Sequence, residues 1–363
     1  MIKNLVSENV QNLASYTPGK PIEELEREKG IKESVKLASN ENPLGPSPKA
    51  LKAISGIIMK INRYPDGRSF YLKERLARKL NVKEENIILG NGSNEIIELI
   101  IRTFMEPGKE AISAEPTFLL YRKMVQAVGG KNIIVPLKKF VYDLGTMAEK
   151  ISSRTRIIFI NNPNNPTGMI IRKTDFENFL SRVPESVLVI VDEAYFEYVT
   201  DEKYPNPLEY QDTGKMIVAL RTFSKIYGLA GLRIGYGITR QDIIKYMDKV
   251  RQPFNINSLA QAGALAALDD EDHINKSLEI NQGGLKYLYQ ELDGLGVEYL
   301  PTQSNFFLIN LHRDCREVYE ALLAEGVIVR SMDAYGLNEY IRLSVGLPRE
   351  NERFIEAFKK VIL

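Results

Sequence analysis

Lys225 is the residue of this chain with the clearest signs of covalent chemistry. It follows Thr222 and Ser224, apolar residues and glycines come after it, and the next cation is Arg233. A lysine amine in such surroundings can lose its proton and attack a carbonyl carbon, forming a Schiff base. The two hydroxyl groups and the guanidinium group of Arg233 could hold a phosphate beside it. A loop lysine in a salt bridge is the alternative, and this segment alone does not decide between the two.

An apolar run, residues 187–191, ends in Asp192, and Tyr195 follows three positions later. A carboxylate at such a strand end could pair with a protonated ring nitrogen, which makes the ring a better electron sink. Tyr195 could reach an oxygen on the same ring. The competing interpretation is the magnesium-binding acid of an ATPase, which also needs a phosphate loop of the form G-x-x-x-x-G-K-[ST]. No Gly-Lys pair in this chain is followed by Ser or Thr, which argues against an ATPase.

Two turn-forming segments supply further polar groups. Residues 161–168 contain two Asn-Pro steps and a glycine, which predicts a fixed turn where the amide of Asn165 can donate to a phenolic oxygen. Glycines in residues 90–95 allow a tight turn into a helix, and the backbone N–H groups of Ser93 and Asn94 would favour a phosphate there. Each segment could instead be an ordinary turn. In residues 90–95, Ser93 or Asn94 would then cap the helix that follows.

Phe118, which follows another predicted strand, could stack on a flat ring or could be a core aromatic residue. The joint pattern is stronger than its parts, because these segments lie at successive strand ends, which converge on one crevice in an open α/β sheet. Pyridoxal 5′-phosphate (PLP) combines a ring nitrogen, a phenolic oxygen, an aldehyde and a phosphate. The sequence therefore predicts PLP as the cofactor.

The composition limits the classes of function. The 48 basic and 47 acidic side chains nearly cancel, which gives no electrostatic case for nucleic acid or an anionic membrane as a partner. No apolar run approaches the ~18 residues of a spanning helix, and the N-terminus has no signal-peptide core. Cys315 is the only cysteine, so no intrachain disulfide can form and we expect a cytoplasmic protein. His273 and His312 stand in polar surroundings and are expected at the surface, with no metal site.

The order of predicted elements indicates the fold. Strands are predicted at 87–89, 133–135, 157–160, 187–191 and 216–220, and helices at 95–104, 118–128 and 174–180. This alternation predicts βα units and a mostly parallel sheet. The first forty residues are polar and irregular, and the pattern of predicted helices and strands changes after residue 257. That last part has helices at 258–268, 272–292, 316–324 and 349–361 and strands at 306–311, 327–329 and 340–344. We expect an N-terminal arm (1–40), a large PLP-binding domain (41–257) and a small α+β domain (258–363).

With these residues the chain resembles the fold-type I PLP enzymes and, more closely, the histidinol-phosphate aminotransferase family. The resemblance extends from residues 38–43 to residues 341–346, and its most specific parts are 164–168, 191–195 and 224–233. It implies a fold-type I PLP-dependent transferase, with a mostly parallel seven-stranded sheet in the large domain and a smaller α+β C-terminal domain. It also implies a reaction of histidine biosynthesis, in which L-histidinol phosphate and 2-oxoglutarate give imidazole-acetol phosphate and L-glutamate.

The resemblance implies a role for each candidate residue toward the cofactor. Lys225 would be the Schiff-base lysine and proton carrier, and Asp192 would pair with the pyridine nitrogen. Asn165 and Tyr195 would hold the ring oxygen. Phe118 stands where a tyrosine is usual, which keeps the stacking but loses any hydroxyl contact. The cofactor phosphate would be held by Ser93, Asn94, Thr222, Ser224 and Arg233.

Other residues are implied for the partner subunit and the substrate. Tyr64 matches a tyrosine that reaches the cofactor phosphate of the neighbouring subunit, which implies a homodimer. Arg342 matches an arginine that binds a carboxylate or the substrate phosphate, while Arg330 and Tyr16 match positions around that phosphate. Guanidinium groups suit this role because they meet oxyanions with two parallel hydrogen bonds. A surface salt bridge is the alternative for each arginine.

Other functions remain open on the same residues. An aromatic amino acid aminotransferase or a phospho-amino-acid decarboxylase would need the same Lys225, Asp192 and anion-binding arginine. A regulator with an inactive aminotransferase-like domain would place a DNA-binding module ahead of it. Only about forty polar residues precede Asn40, without a basic cluster, which argues against that third class.

Overall fold

The computed structural model of the chain describes residues 2–15 and 19–362. Within them the strands are β1 (Val35–Lys36), β2 (Ile87–Gly90), β3 (Glu110–Glu115), β4 (Lys131–Pro136), β5 (Thr155–Asn161), β6 (Leu188–Asp192), β7 (Met216–Thr222), β8 (Gly235–Ile238), β9 (Tyr299–Leu300), β10 (Phe306–Asn310), β11 (Val327–Ile328), β12 (Arg330–Ser331) and β13 (Tyr340–Ser344). The α-helices are α1 (Glu8–Gln11), α2 (Ile22–Lys29), α3 (Pro48–Ile57), α4 (Phe70–Leu80), α5 (Ser93–Phe104), α6 (Leu120–Ala127), α7 (Leu144–Glu149), α8 (Lys173–Arg182), α9 (Gln241–Met247), α10 (Ser258–Ala267), α11 (Glu271–Gly294), α12 (Cys315–Ala324) and α13 (Pro348–Ile362).

A seven-stranded sheet forms the centre of the molecule, in the order β2-β8-β7-β6-β5-β3-β4. Only β8 runs antiparallel to its neighbours, β2 and β7. Alternate residues of the central strands enter two different cores: Ile157 and Phe159 face one, and Ile158 and Ile160 face the other. This alternation follows from the pleat, and helices cover both faces, which is why the strands are apolar throughout. The predicted mostly parallel seven-stranded sheet is confirmed.

A second, four-stranded antiparallel sheet has the order β12-β13-β10-β9. It packs against α11, α12 and α13 in a core of its own, in which Phe354 and Phe358 of α13 are fully buried. The end of the predicted arm packs on this unit, since β1 pairs with β11. Helix α1, nearer the N-terminus, instead contacts α6 beside the large sheet. The division into 1–40, 41–257 and 258–363 stays a prediction. Because α10 packs on α3 in the core beside the large sheet, we propose that the small domain begins at α11.

The structure corrects several expectations. The first forty residues are less irregular than predicted, because α2 forms there and buries Leu25. Strand β8 was not predicted, since two of its four residues are glycines, which are rare in strands. His273 is not at the surface: it is 8% exposed. It lies on a buried stripe of α11 whose first members are polar, so the apolar periodicity that would predict a buried helix face is missing there.

No helix in the described part of the chain is both long and apolar enough to cross a bilayer.

A buried ion pair joins the neighbouring strands β6 and β7. Glu193, directly after β6, accepts a hydrogen bond of 2.9 Å from Nε of Arg221 in β7. The two side chains are 0% and 7% exposed, and Tyr204 donates to the other carboxylate oxygen of Glu193 at 3.0 Å. Removing one partner from such a pair leaves an uncompensated buried charge.

We therefore expect Arg221→Met to lower the free energy of unfolding by about 3–5 kcal/mol. The double variant Glu193→Gln, Arg221→Met should be more stable than Arg221→Met alone, because it no longer buries a lone carboxylate. Urea denaturation followed by circular dichroism measures both. Equal stability of the wild type and Arg221→Met would contradict the view that Arg221 compensates the buried charge of Glu193.

Candidate active site

A cavity of about 530 Å³ opens at the carboxyl ends of the parallel strands. Strands β5, β6 and β7 are neighbours in register, with Asn161 beside Asp192 and Asp192 beside Leu220, so the loops after them must meet at one edge. The cavity brings together these residues that the sequence suggested: Ser93, Asn94, Phe118, Asn165, Asp192, Tyr195, Thr222, Ser224, Lys225, Arg233, Arg330 and Arg342.

Lys225 lies three residues after β7, at the floor of the cavity. Its Nζ donates to the carbonyl oxygen of Ser39 at 3.1 Å and lies 5.5 Å from the ring centroid of Tyr195. Burial, and then the positive charge of Arg342, lower the pKa of Lys225 to about 8. A larger share of the amine is therefore neutral near pH 7–8 than for an exposed lysine, which suits a nucleophile or a base.

Asp192 ends the central strand β6 and is 4% exposed. Its Oδ2 accepts a hydrogen bond of 2.7 Å from the hydroxyl of Tyr121. Oδ1 is buried and has no hydrogen-bond partner among the described residues. Burial raises the pKa of Asp192 to about 6. The ionised carboxylate is therefore unfavourable unless a cation or a hydrogen-bond donor faces Oδ1.

An anion-binding corner lies where β2 turns into α5. The first residues of α5 are Ser93 and Asn94, and the N-cap residue Gly92 has no side chain to cap the N–H groups of that first turn. Gly92 has φ +76°, and a Cβ there would lie 2.5 Å from Nη2 of Arg233. The corner therefore combines free helix N–H groups with a guanidinium group, which is an arrangement suited to a phosphate. Thr222 and Ser224 line the same cavity.

Asn165 and Tyr195 are each held by a residue from outside the large sheet. Oδ1 of Asn165 accepts a hydrogen bond of 2.5 Å from Nη1 of Arg342 in β13, which leaves the amide N–H₂ group to donate elsewhere. The hydroxyl of Tyr195 accepts a hydrogen bond of 3.0 Å from Nδ2 of Asn40, so its own proton is available to a further acceptor. Both side chains can thus donate to one oxygen in the cavity. Arg342 also donates to the carbonyl oxygen of Ala38 at 2.7 Å.

One candidate among the described residues is not brought into the cavity. Tyr64 is 84% exposed and stacks on Phe254, with 4.9 Å between the ring centroids, and it does not line the cavity. Tyr16 lies outside the described residues.

Among the residues of the site that sequence reasoning missed are Ser39, Asn40, Tyr121 and Lys123. For Tyr121 a signal existed, because it follows Phe118 by three positions, the spacing of one helix face. Nothing local indicated that Asn40, 155 positions from Tyr195, would touch its hydroxyl.

The residues present fit PLP. The buried Oδ1 of Asp192 faces no donor of the described chain, which is the position a protonated ring nitrogen would fill. The corner at Gly92, where the backbone has a positive φ and the guanidinium group of Arg233 lies close by, offers N–H groups and Arg233 to a phosphate. Lys225 lines the same cavity and has a lowered pKa. A ring with a nitrogen at one side and a phosphate at the other matches this donor set.

Comparison with known proteins agrees with this arrangement. Residues 32–358 match the family of class I and II aminotransferases. A histidinol-phosphate aminotransferase of Moorella thermoacetica is 50% identical over 356 residues, which cover 98% of this chain and 92% of that protein. Another, of Desulfotalea psychrophila, is 48% identical over 355 residues, covering 97% and 94%. The crystal structure of histidinol-phosphate aminotransferase from Sinorhizobium meliloti in complex with pyridoxal-5′-phosphate has a TM-score of 0.91 at 28% identity, covering 98% of this chain and 97% of that one.

The fold and the site define a fold-type I PLP-dependent transferase, and the predicted fold class is confirmed. The chain belongs to the class I and II aminotransferase family. It is therefore a transaminase that depends on PLP, as the sequence predicted.

The buried carboxylate gives a prediction for the cofactor-free protein. Because the folded-state pKa of Asp192 is raised to about 6, its ionisation destabilises the fold. This cost is absent below the unfolded pKa of about 4 and is complete above about 6. Asp192→Asn removes it, so from pH 5 to pH 7 the unfolding free energy of the variant, relative to wild type, should rise by about 1 kcal/mol.

Urea denaturation of the two cofactor-free proteins at both pH values measures this change. Asp212→Asn, at an exposed carboxylate, is the control and should show no such change. Transaminase activity of the Asp192→Asn holoenzyme should be lost. A pH-independent stability difference would contradict the electrostatic account of Asp192.

Proposed function

We propose that this protein is a histidinol-phosphate aminotransferase. It would transfer the amino group of L-histidinol phosphate to 2-oxoglutarate, giving imidazole-acetol phosphate and L-glutamate. The observation that carries the proposal is the 50% identity, over 98% of the chain, to a relative named for this activity. The cavity supports it, because Arg330 and Arg342 line it in addition to Arg233 at the phosphate corner.

The residues of this chain would hold the cofactor at four points. Ser93, Asn94, Thr222, Ser224 and Arg233 would bind its phosphate, and Phe118 would stack on its ring. Asp192 would keep the ring nitrogen protonated through Oδ1, while Tyr121 holds the other carboxylate oxygen. Asn165 and Tyr195 would donate to the ring oxygen. When bound, PLP supplies an electron sink for the substrate carbon that loses its proton.

Lys225 would perform the proton transfer. Its neutral amine is accessible near pH 8 because burial and Arg342 disfavour the charged form. With the substrate amine bound near it, Nζ of Lys225 would take the proton from the substrate Cα. Asp192 acts through the ring nitrogen and does not touch that proton.

For the substrates, Arg342 is oriented by Ala38 and Asn165 and lies near Lys225, so it would bind the anionic group closest to the reacting carbon. Arg330 would bind the substrate phosphate. Tyr16, outside the described residues, is proposed at the same phosphate from the resemblance alone.

The function is tested by titrating PLP-loaded protein with L-histidinol phosphate in the absence of an acceptor. The visible absorption of the bound cofactor should disappear, and 2-oxoglutarate should restore it. Lys225→Ala should bind PLP without turnover. If L-phenylalanine produces this change and L-histidinol phosphate does not, the protein is an aromatic aminotransferase. Release of CO₂ from a phosphorylated amino acid would indicate a decarboxylase.

We also propose a cytoplasmic homodimer. The described residues expose several large apolar side chains in one stretch of the chain and beside it, namely Leu51, Ile58, Met59, Ile61, Tyr64, Phe70, Tyr71 and Phe254. Met59 is 91% exposed, which is unfavourable unless a second surface covers it. Tyr64 lies in this group, and the resemblance implies that it reaches the cofactor phosphate of the second copy that would cover this surface.

Tyr64→Phe should weaken PLP binding about tenfold, because one hydrogen bond to a charged group is lost. A mixture of Tyr64→Phe and Lys225→Ala chains, refolded together, distinguishes the subunits. A hybrid dimer has one site with both Lys225 and the Tyr64 of the other chain, and there PLP affinity should return to normal. If affinity does not return, Tyr64 acts within its own subunit or not at all. Sedimentation measures the dimer independently.

A further inference from the structure

The hydroxyl of Tyr142 lies where two neighbouring strands of the large sheet separate. Pairing between β3 and β5 ends at Ile112 and Ile158, whereas β5 continues to Asn161. Successive N–H groups of a strand point to opposite sides, and the N–H that follows Asn161 donates to β6, so that of Asn161 points toward β3. The hydroxyl of Tyr142 accepts its hydrogen bond at 3.0 Å. Tyr142 thus replaces the missing strand partner of a buried N–H group.

From this hydroxyl a chain of hydrogen bonds continues to the turn after β5. The hydroxyl of Tyr142 lies 2.8 Å from Oγ1 of Thr117, and Thr117 donates to Oδ1 of Asn164 at 2.7 Å. Because the single proton of Thr117 goes to Asn164, Tyr142 is the donor to Thr117. All three side chains are buried, so water competes little for these bonds. The hydroxyl of Tyr142 therefore joins the end of β5 to the turn.

Asn165, the proposed donor to the ring oxygen, is held by the two residues that this chain connects. Its backbone N–H donates to Oδ1 of Asn161 at 2.7 Å, and the amide of Asn161 donates to the carbonyl oxygen of Asp192 at 3.0 Å. The preceding residue, Asn164, donates to the carbonyl oxygen of Pro116 at 3.1 Å. The turn that carries Asn165 is thus fastened to the end of β6 and to the segment after β3.

We propose that Tyr142 is a positioning residue, whose hydroxyl fixes the place from which Asn165 donates to the ring oxygen of the cofactor. It acts through Asn161 and Asn164, since Tyr142 itself does not line the cavity. Its ring has a separate role, because it packs in the apolar core with Phe176. The inference rests on the proposed role of Asn165 and does not depend on which amino donor the enzyme uses.

The test removes the hydroxyl and keeps the ring, in PLP-loaded Tyr142→Phe. Hydrogen bonds to a charged group favour its charged form, so a displaced Asn165 stabilises the negative ring oxygen less well. The pH at which bound PLP changes its visible absorption should therefore rise by about 0.5. The Kd of PLP should rise about threefold. Asn165→Ala should raise both values at least as much, and adding Tyr142→Phe to it should change neither further.

Two further variants serve as controls. Tyr210 packs against the same core, and its hydroxyl donates to Glu177 at 3.1 Å. Tyr210→Phe should keep the wild-type absorption and Kd. Thr117→Val removes the next hydroxyl of the chain and should have a smaller effect in the same direction, because Tyr142 still lies 3.4 Å from Oδ1 of Asn164. If Tyr142→Phe does not fold, Thr117→Val decides, and a wild-type absorption profile and Kd there would overturn the proposal.

Wild-type absorption and PLP affinity in folded Tyr142→Phe would overturn the proposal, even with a lower stability in urea, because the hydroxyl would then have a structural role only. Full additivity of Tyr142→Phe and Asn165→Ala would also overturn it, since Tyr142 would not act through Asn165. If Asn165→Ala itself changes neither value, the proposed role of Asn165 fails and the inference with it. None of these measurements uses an amino donor, so failure of L-histidinol phosphate as a substrate is a separate result.

Discussion

The carboxylate of Asp192, buried at the end of the central strand, is the constraint on which the rest of the site depends. An ionised carboxylate that is 4% exposed is costly unless donors or a cation face it. Tyr121 supplies one donor, and the amide of Asn161 fixes the adjacent backbone by donating to the carbonyl oxygen of Asp192 at 3.0 Å. The other oxygen, Oδ1, has no hydrogen-bond partner among the described residues, and we propose that a protonated ring nitrogen pairs with it. The buried carboxylate therefore lowers the stability of the cofactor-free protein, and we propose that it favours tight pairing with the cofactor. The sheet must be rigid enough to keep the ionised carboxylate buried.

The ring-oxygen end of the site depends on the small sheet and on the chain leading to it. Asn40 has φ +54°, a conformation that asparagine tolerates better than most residues. Its backbone N–H donates to Oγ of Ser344 at 2.9 Å, and its carbonyl oxygen accepts from Asn305 at 3.1 Å. Its side chain then reaches Tyr195. Together with the contact between Arg342 and Asn165, this makes Asn165 and Tyr195, the proposed ring-oxygen donors, sensitive to the position of β10 and β13. A movement of the small sheet would therefore change the electronic environment of the cofactor as well as the width of the cavity.

The large sheet and most of the site could be predicted from the sequence because their signals are local. Apolar runs ending in Asp192 or Thr222 specify buried parallel strands, and parallel strands bring their ends to one edge. Lys225 stood out for the same reason, since its neighbours are atypical for a surface lysine. Contacts between distant segments carried no such signal, as for the hydrogen bonds of Asn40 with Tyr195 and of Arg342 with Asn165. Strand β8 escaped prediction because its glycines serve close packing, as at Gly235, where a Cβ would lie 2.5 Å from the backbone N of Ser93.

The charges of the cavity also couple the chemistry to binding. Arg342 and Arg233 both lower the pKa of Lys225, because they disfavour a third positive charge nearby. The same guanidinium groups are placed to bind anions. An anion bound to either group offsets its charge, and by linkage the pKa of Lys225 must rise when it does. In the free cavity the lysine is therefore a weaker base and is more often neutral, as a nucleophile toward the cofactor must be. With anions in place it becomes a stronger base at the moment when it has a proton to remove. The sequence, with its near-zero net charge, gave no sign of this local excess of cations.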